Sequence, residues 1–175
     1  MICCATGHRP NKLGGYSTEA FSLLENICYY WITDNVEKLK ITHFISGMAL
    51  GWDQAVAEAV INYNTFGKYT KLIKLTAALP FAGQEIKWPI ESKKLYFKLL
   101  SLCDEIVYVS DVGYNPAKMQ IRNEWMVNKS DLVVAMFDGT TGGTHNCIKY
   151  AKSKNKQIVN LYGQYINESK KTKQK

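Results

Sequence analysis

Asp131-Leu132-Val133-Val134-Ala135-Met136-Phe137, running directly into Asp138-Gly139-Thr140-Thr141-Gly142-Gly143-Thr144-His145-Asn146, decides the fold. From Leu132 to Phe137 the first stretch is apolar without a break, as a strand buried on both faces of a parallel sheet must be. It is far too short to cross a bilayer. The second is a glycine- and threonine-rich turn that opens a helix over residues 144–153. A buried strand, a glycine loop and a helix in that order predict a unit of a parallel sheet.

The same alternation extends outward in both directions. Strands are expected at residues 2–6, 43–46, 71–79, 105–109, 131–137 and 157–161. Helical spacing fills residues 17–39, 52–66, 89–102 and 116–128 between them. Ser17 suits a helix cap and Pro89 a first-turn position. The prediction is an α/β, Rossmann-like, doubly wound, mainly parallel sheet with helices on both faces. The second strand should lie beside the first, with all the glycine-rich loops at one edge.

The chain has 175 residues, 46% apolar and 21% charged. That is enough for one domain to bury roughly 70% of the surface its unfolded chain exposes. Residues 1–166 read as a single domain and 167–175 as a lysine-rich flexible tail. Of the net charge of +7, residues 168–175 contribute +3, from four lysines and one glutamate, and the body carries the other +4. The five cysteines include no CxxC pair and are odd in number. A zinc site or disulfide framework is therefore not expected, and no metal or cofactor is needed to fold. The start, MICCATGHRP, has no basic flank before an apolar run, so the expected location is the cytoplasm, without a membrane partner.

In open parallel sheets, ligands sit beyond the carboxyl ends of the strands, where helices present free N–H groups. Four polar loops or segments belong to that edge. The first holds Thr6, Gly7, His8 and Arg9; the forked guanidinium suits a phosphate, while His8 is either a ligand contact or a backbone hydrogen-bond partner. The second holds Ser46, Gly47, Gly51 and Asp53; Asp53 accepts from a ribose or complements the positive end of its helix. The third holds Arg122, Asn123 and Glu124, on a helical face that is either solvated or turned back to the cleft. The fourth, with Gly142, Gly143 and Thr144, offers bare amides and hydroxyls to a phosphate. Neither GxGxxG nor GxxxxGK[ST] is present, so a standard dinucleotide fingerprint and a P-loop are excluded.

Taken together, TGHRP with KLGGY, ISGMALGWDQAVAEA and RNEWMVNKSDLVVAMFDGTTGGTHNCIKYA resemble the YpsA-type branch of the SLOG superfamily. The resemblance implies a Rossmann-like fold, a ligand built on a nucleotide (a relative of NAD or ADP-ribose, or a nucleoside monophosphate) and a homodimer. The superfamily also holds the lonely-guy phosphoribohydrolases, with a PGGxGTxxE loop and a helix arginine, and DprA. Gly143-Thr144 match the GT and Arg122 the arginine, while the glutamate position falls on Cys147. The phosphate cradle is thus retained and the carboxylate displaced.

The expected function is binding or sensing of a small nucleotide-type ligand. An N-glycosidic hydrolase with Asp53 or Glu124 as its acid is the first alternative. A DprA-like nucleic-acid module is the second. Nucleic acid is not expected as a partner, because no basic stripe with interleaved aromatics is read outside the tail. Arg122→Ala is expected to weaken ligand binding without changing fold stability.

Overall fold

The computed structural model describes residues 1–67 and 72–172. Six strands, β1 (Ile2–Gly7), β2 (His43–Ser46), β3 (Lys74–Leu79), β4 (Glu105–Tyr108), β5 (Leu132–Met136) and β6 (Gln157–Asn160), alternate with six helices. These are α1 (Thr18–Asn35), α2 (Trp52–Phe66), α3 (Ile90–Ser101), α4 (Pro116–Lys129), α5 (Gly143–Ser153) and α6 (Tyr162–Thr172). The strands form one sheet in the order β4-β3-β2-β1-β5-β6, and every pairing is parallel. The architecture is α/β and Rossmann-like, with β2 beside β1 as expected.

The order reverses at β1. From β1 the chain steps outward to β4, and α4 then carries it back across to β5, on β1's other side. Ligands of such sheets bind outside the strand ends at this switch point. β5 is buried along its whole length, and its register with β1 sets Thr6 opposite Ala135 and Gly7 opposite Met136. The loops after β1 and β5 therefore leave the sheet side by side.

Two apolar layers hold the sheet. One joins residues of α1, α2, α3 and α6 to one sheet face; the other joins α4 and α5 to the opposite face. Cys3 and Cys4 are fully buried, on opposite layers, and all five cysteines are free thiols. Trp52 anchors the first layer. It is fully buried, and its indole N–H donates to the carbonyl of Val134 at 3.1 Å. A Cβ on Gly7 would lie 2.4–2.6 Å from Trp52 side-chain atoms. The first turn of α2 is thereby pinned beneath the end of β1.

Helix starts divide into two kinds. In α1, Ser17 Oγ accepts from the Ala20 amide at 3.2 Å, and in α4, Asn115 Oδ1 accepts from the Ala117 amide at 2.9 Å. These ends are satisfied by their own side chains. In α2 and α5 the residues before the first turn are Gly51 and Gly142, with φ of 92° and 141° and no side-chain cap. The first turn of α2 is satisfied by backbone, Trp52 N–H donating to the His8 carbonyl at 3.4 Å and Gln54 N–H to the Ala49 carbonyl at 3.3 Å, whereas α5 begins without a side-chain cap at the end of the sheet where β1 and β5 finish.

The differences from expectation are local. α1 ends at Asn35 rather than 39, since the chain turns before Lys40, whose φ is 52°. The expected β3 start at residue 71 lies outside the described residues, and the strand begins at Lys74. The expected tail boundary at 166 falls inside α6, which runs on to Thr172. Buried Leu161 and Tyr165 fasten that helix to the first layer, so at least residues 167–172 continue a helix rather than begin a loose tail. Among the described residues, no helix is long and apolar enough to cross a membrane.

Candidate functional site

A cleft of about 370 Å³ opens at the switch point. Thr6, Gly7, His8 and Arg9 line it from the β1 loop, Asp53 from α2, Arg122 and Asn123 from α4, and Gly142, Gly143 and Thr144 from the start of α5. Asn11, Lys12, Ala49, Met119 and Thr141 complete the wall. Residues more than a hundred positions apart thus meet in one depression.

Three anticipated residues lie behind the wall instead of in it. Ser46 is fully buried; its hydroxyl donates to the Asp53 carbonyl at 2.7 Å and accepts from the Met48 amide at 3.1 Å. It fixes the turn that carries Asp53. A Cβ on Gly47 would stand 1.5 Å from Arg122 Nη1 and 2.7 Å from Asp53 Oδ2. Gly47 is the floor on which the guanidinium rests. Gly51 passes so close to the β1 loop that a Cβ would lie 2.7 Å from the His8 carbonyl oxygen. All three support the site without lining it.

Arg122 is 4% exposed and Asp53 5%, with Nη1 and Oδ2 3.5 Å apart. Arg122 Nε and Nη1 are buried with no hydrogen-bond partner. Burial works against the charge on both partners: it pushes the Asp53 carboxyl above its ordinary range, opposed by Arg122, Arg9 and the Ala49 amide. It likewise lowers the Arg122 guanidinium from its usual value, opposed chiefly by Asp53. A desolvated guanidinium with idle donors costs several kcal/mol unless something accepts from it.

The lip of the cleft is tied across the switch point. His8 Nε2 lies 2.6 Å from Asp138 Oδ1 and 3.1 Å from the Asp138 amide nitrogen. Asp138 Oδ1 also accepts from the Thr140 amide at 2.8 Å and the Thr140 hydroxyl at 2.6 Å. Lys12 Nζ donates to the Thr140 hydroxyl and stands 3.8 Å from Asp138 Oδ2. The Thr140 bonds, followed by His8, hold the Asp138 carboxyl well below the usual carboxylate range. Asp138 and Lys12 were legible only as loop residues. Their pairing with His8 and Thr140 depends on the β1–β5 register, which no local pattern displays.

The carboxylates sort clearly. Asp53 is the one carboxylate among the described residues that line the cleft. Glu124, the other candidate acid, accepts from Gln120 Nε2 at 2.9 Å on the same helix and is not part of the wall. Cys147 is buried behind Thr6, 1% exposed. Burial pushes its thiol up to about 11, against the Thr6 hydrogen bond and the charge of Arg122. At neutral pH it is a protonated thiol facing the second core layer. Among the described residues, no group of three or more His, Cys, Asp or Glu side chains is placed to hold a metal ion.

A second depression, of about 440 Å³, lies on the other side of the first turn of α2. Phe21, Leu24, Leu50 and Leu95 give it apolar walls, and Glu25, Glu58 and Glu91 an acidic margin. Each of these glutamates has a partner: Asn62 at 3.1 Å, Lys98 at 3.0 Å and Lys94 at 2.8 Å respectively.

Similarity to known proteins runs along the same elements. The YpsA family model, described as the YspA SLOG family, matches residues 3–170. The uncharacterized SPbeta prophage-derived protein YoqJ of Bacillus subtilis (strain 168) is 36% identical over 132 residues, 69% of this chain and 75% of that protein. A UPF0398 protein of Bacillus cereus (strain G9842) is 26% identical over 168 residues, covering 94% of this chain and 89% of that one. Among solved structures, DNA processing protein A (DprA) from Streptococcus pneumoniae matches with a TM-score of 0.61 at 16% identity, over 90% of this chain and 48% of that one. DprA from Helicobacter pylori, described for its single-stranded DNA binding mode, matches with a TM-score of 0.58 at 16% identity, over 90% and 63%. The chain thus spans about half of one DprA and under two thirds of the other. At that identity the likeness concerns the fold alone.

Proposed function

This chain belongs to the YspA SLOG family, and from that premise we propose that its switch-point cleft binds the phosphate of a nucleotide-type ligand. The observation that carries the reading is Arg122, a buried guanidinium whose Nε and Nη1 have no acceptor. It shares the cleft with the uncapped start of α5 at Gly142-Gly143-Thr144. A forked cation and a helix N-terminus are complementary to a phosphate, and each alone is worth less than both together. Thr141, Thr144 and Asn123 add hydrogen-bonding groups for a sugar or a further phosphate. A ligand related to ADP-ribose, NAD or a nucleoside monophosphate meets this description.

Binding without base release is the chemistry these residues favour. Cleavage at a ribose carbon develops positive charge that an adjacent carboxylate must offset. Cys147 is a buried thiol, Glu124 is engaged on α4, and Asp53 is paired with Arg122. A chromatographic assay for adenine after prolonged incubation with AMP should find none. Turnover abolished by Asp53→Asn would assign that residue the acid's role and overturn the binder reading.

Two parts of the expected partner set remain proposals. The dimer implied by the family is tested by sedimentation. The expectation against nucleic acid is set aside, since a neighbour of this fold is described for single-stranded DNA binding, and a nucleotide within a strand carries the same phosphate. Calorimetric titration with AMP, ADP-ribose, NAD and a short oligonucleotide tests the cleft. A ligand at a hundred times its Kd adds about 2.7 kcal/mol to stability. Failure of every phosphate ligand to bind or stabilise the protein would refute the reading.

A further inference from the structure

The body's surplus of positive charge is not spread evenly. Residues 149–156, KYAKSKNK, hold four lysines and no acidic residue, which equals the whole +4 of the chain outside its last eight residues. They form the end of α5 and the turn into β6. Helices of a parallel sheet run opposite to the strands, so this turn lies at the amino ends of β5 and β6. That is the edge away from the cleft.

The end of α4 meets it there, and aromatic rings stand among the lysines. Lys129 Nζ is 6.0 Å from the Trp125 ring centroid and Lys154 Nζ 5.3 Å from that of Tyr150. The Tyr150 hydroxyl donates to Asn128 Oδ1 at 3.1 Å, joining the two helices. Lys156 Nζ donates to the Ser130 carbonyl at 2.6 Å, joining the two turns. Trp125 and Tyr150 are half-buried, while Lys129, Lys149, Lys152 and Lys154 are exposed. Asp131, the carboxylate that follows Ser130 at the start of β5, is turned to the Ile2 amide at 2.8 Å. The expectation that no basic stripe with interleaved aromatics exists outside the tail is corrected here. The sequence spreads Trp125 and Tyr150 over two helices, and only the packing of α4 on α5 brings them together.

Lysines at helix ends complement the helix dipole, which accounts for Lys129 and Lys152. The same role covers Lys154, the residue that caps the end of α5, and Lys156, whose Nζ meets the Ser130 carbonyl at the end of α4, but it does not account for Lys149, nor for rings set between the lysines. A membrane surface or a protein partner also takes aromatic rings beside charges, but each needs an apolar face to bury, and none of the exposed large hydrophobic side chains lies in residues 125–131 or 149–157. A single-stranded nucleic acid uses both, its phosphates on the lysines and its bases on the rings. We propose that the α4–α5 carboxyl-terminal edge, with Trp125 and Tyr150 as stacking platforms and Lys129, Lys149, Lys152 and Lys154 as phosphate contacts, is a docking face for single-stranded nucleic acid, separate from the cleft.

Fluorescence anisotropy with a labelled oligothymidylate of about 20 nucleotides tests this on the full chain. The wild type should bind at low salt, with a log–log salt slope. Replacing Lys149, Lys152 and Lys154 together by glutamine, all exposed and away from the core, should weaken binding at least tenfold and flatten the slope by about 2. Trp125→Ala or Tyr150→Ala should each weaken it roughly tenfold, with folding checked by Tm. Tyr150→Phe keeps the ring and should bind as the wild type. Lys94→Gln, which removes one exposed lysine on α3 away from this edge, should leave oligonucleotide binding intact, which separates this face from the general charge of the chain. No binding at low salt, an unaffected triple-lysine variant, or an equal loss caused by Lys94→Gln would overturn it. So would equal affinity for a duplex of the same length, or binding to anionic vesicles without binding to the strand.

Discussion

Two depressions flank the first turn of α2, and the smaller one carries the functional signature. The groove beside α1 and α3 has about 440 Å³, apolar walls and three glutamates, each already satisfied by a neighbour. The switch-point cleft has about 370 Å³, yet it holds a buried Arg122 with two idle nitrogens and a helix start with no cap. A folded chain can leave a surface groove open at little cost, because water serves its rim. Burying an unsatisfied cation is expensive. What sets the proposed binding site apart is thus desolvated charge held in place, rather than volume.

The largest way to break that contrast is to remove the charge. Arg122→Ala should weaken binding of a phosphate ligand by tenfold to a hundredfold. It should also destabilise the fold by about 3 kcal/mol, because Asp53 is left buried without its partner. The sequence-level expectation of unchanged stability treats Arg122 as a surface residue, and its 4% exposure rules that out. Denaturant unfolding measured beside calorimetry separates the two losses.

Gly47→Ala should come next. The new Cβ would displace the far end of Arg122 and crowd Asp53, so ligand affinity should fall about tenfold with both charged side chains still present. A variant that binds as the wild type would show that the guanidinium reaches ligand from another position.

Asp138→Asn acts on the lip rather than the floor. The Asp138 carboxyl is depressed, chiefly by Thr140. Its contribution is therefore fully present above the ordinary value of 3.8 and is lost as pH falls toward the lowered one. The wild type should have the higher Tm at pH 7, and its advantage over the variant should shrink below about pH 4. An advantage independent of pH would mean that the carboxylate's charge does not hold the lip.

The smallest effect belongs to the other groove. Glu58→Gln loosens its bridge to Lys98, an ion pair worth about 0–1 kcal/mol at a surface, and should leave affinity for a phosphate ligand within twofold. A large change would move the site across α2.

Much of this was readable from the chain. The apolar run at residues 132–137 announced a central strand, and the glycine loops after β1, β2 and β5 marked the edge where the cleft opens. Local pattern could not separate wall from support. Ser46, Gly47 and Gly51 look like binding residues in sequence, but their task is to shape the Asp53 turn, floor Arg122 and admit the His8 carbonyl. Nor could it pair His8 with Asp138, 130 residues away, or raise Trp52 from one apolar residue among many to the pin under Gly7. Helix α6 was hidden by its lysines, although Leu161 and Tyr165 have helical spacing.

The central claim is that Arg122 holds a ligand's phosphate, and a double cycle tests it most directly. AMP and adenosine are titrated calorimetrically into the wild type and into Arg122→Gln. If Arg122 grips the phosphate, the substitution weakens AMP by at least tenfold, about 1.4 kcal/mol, and leaves adenosine, with its weaker affinity, unchanged. Equal losses for both ligands, or none for AMP, would contradict the account.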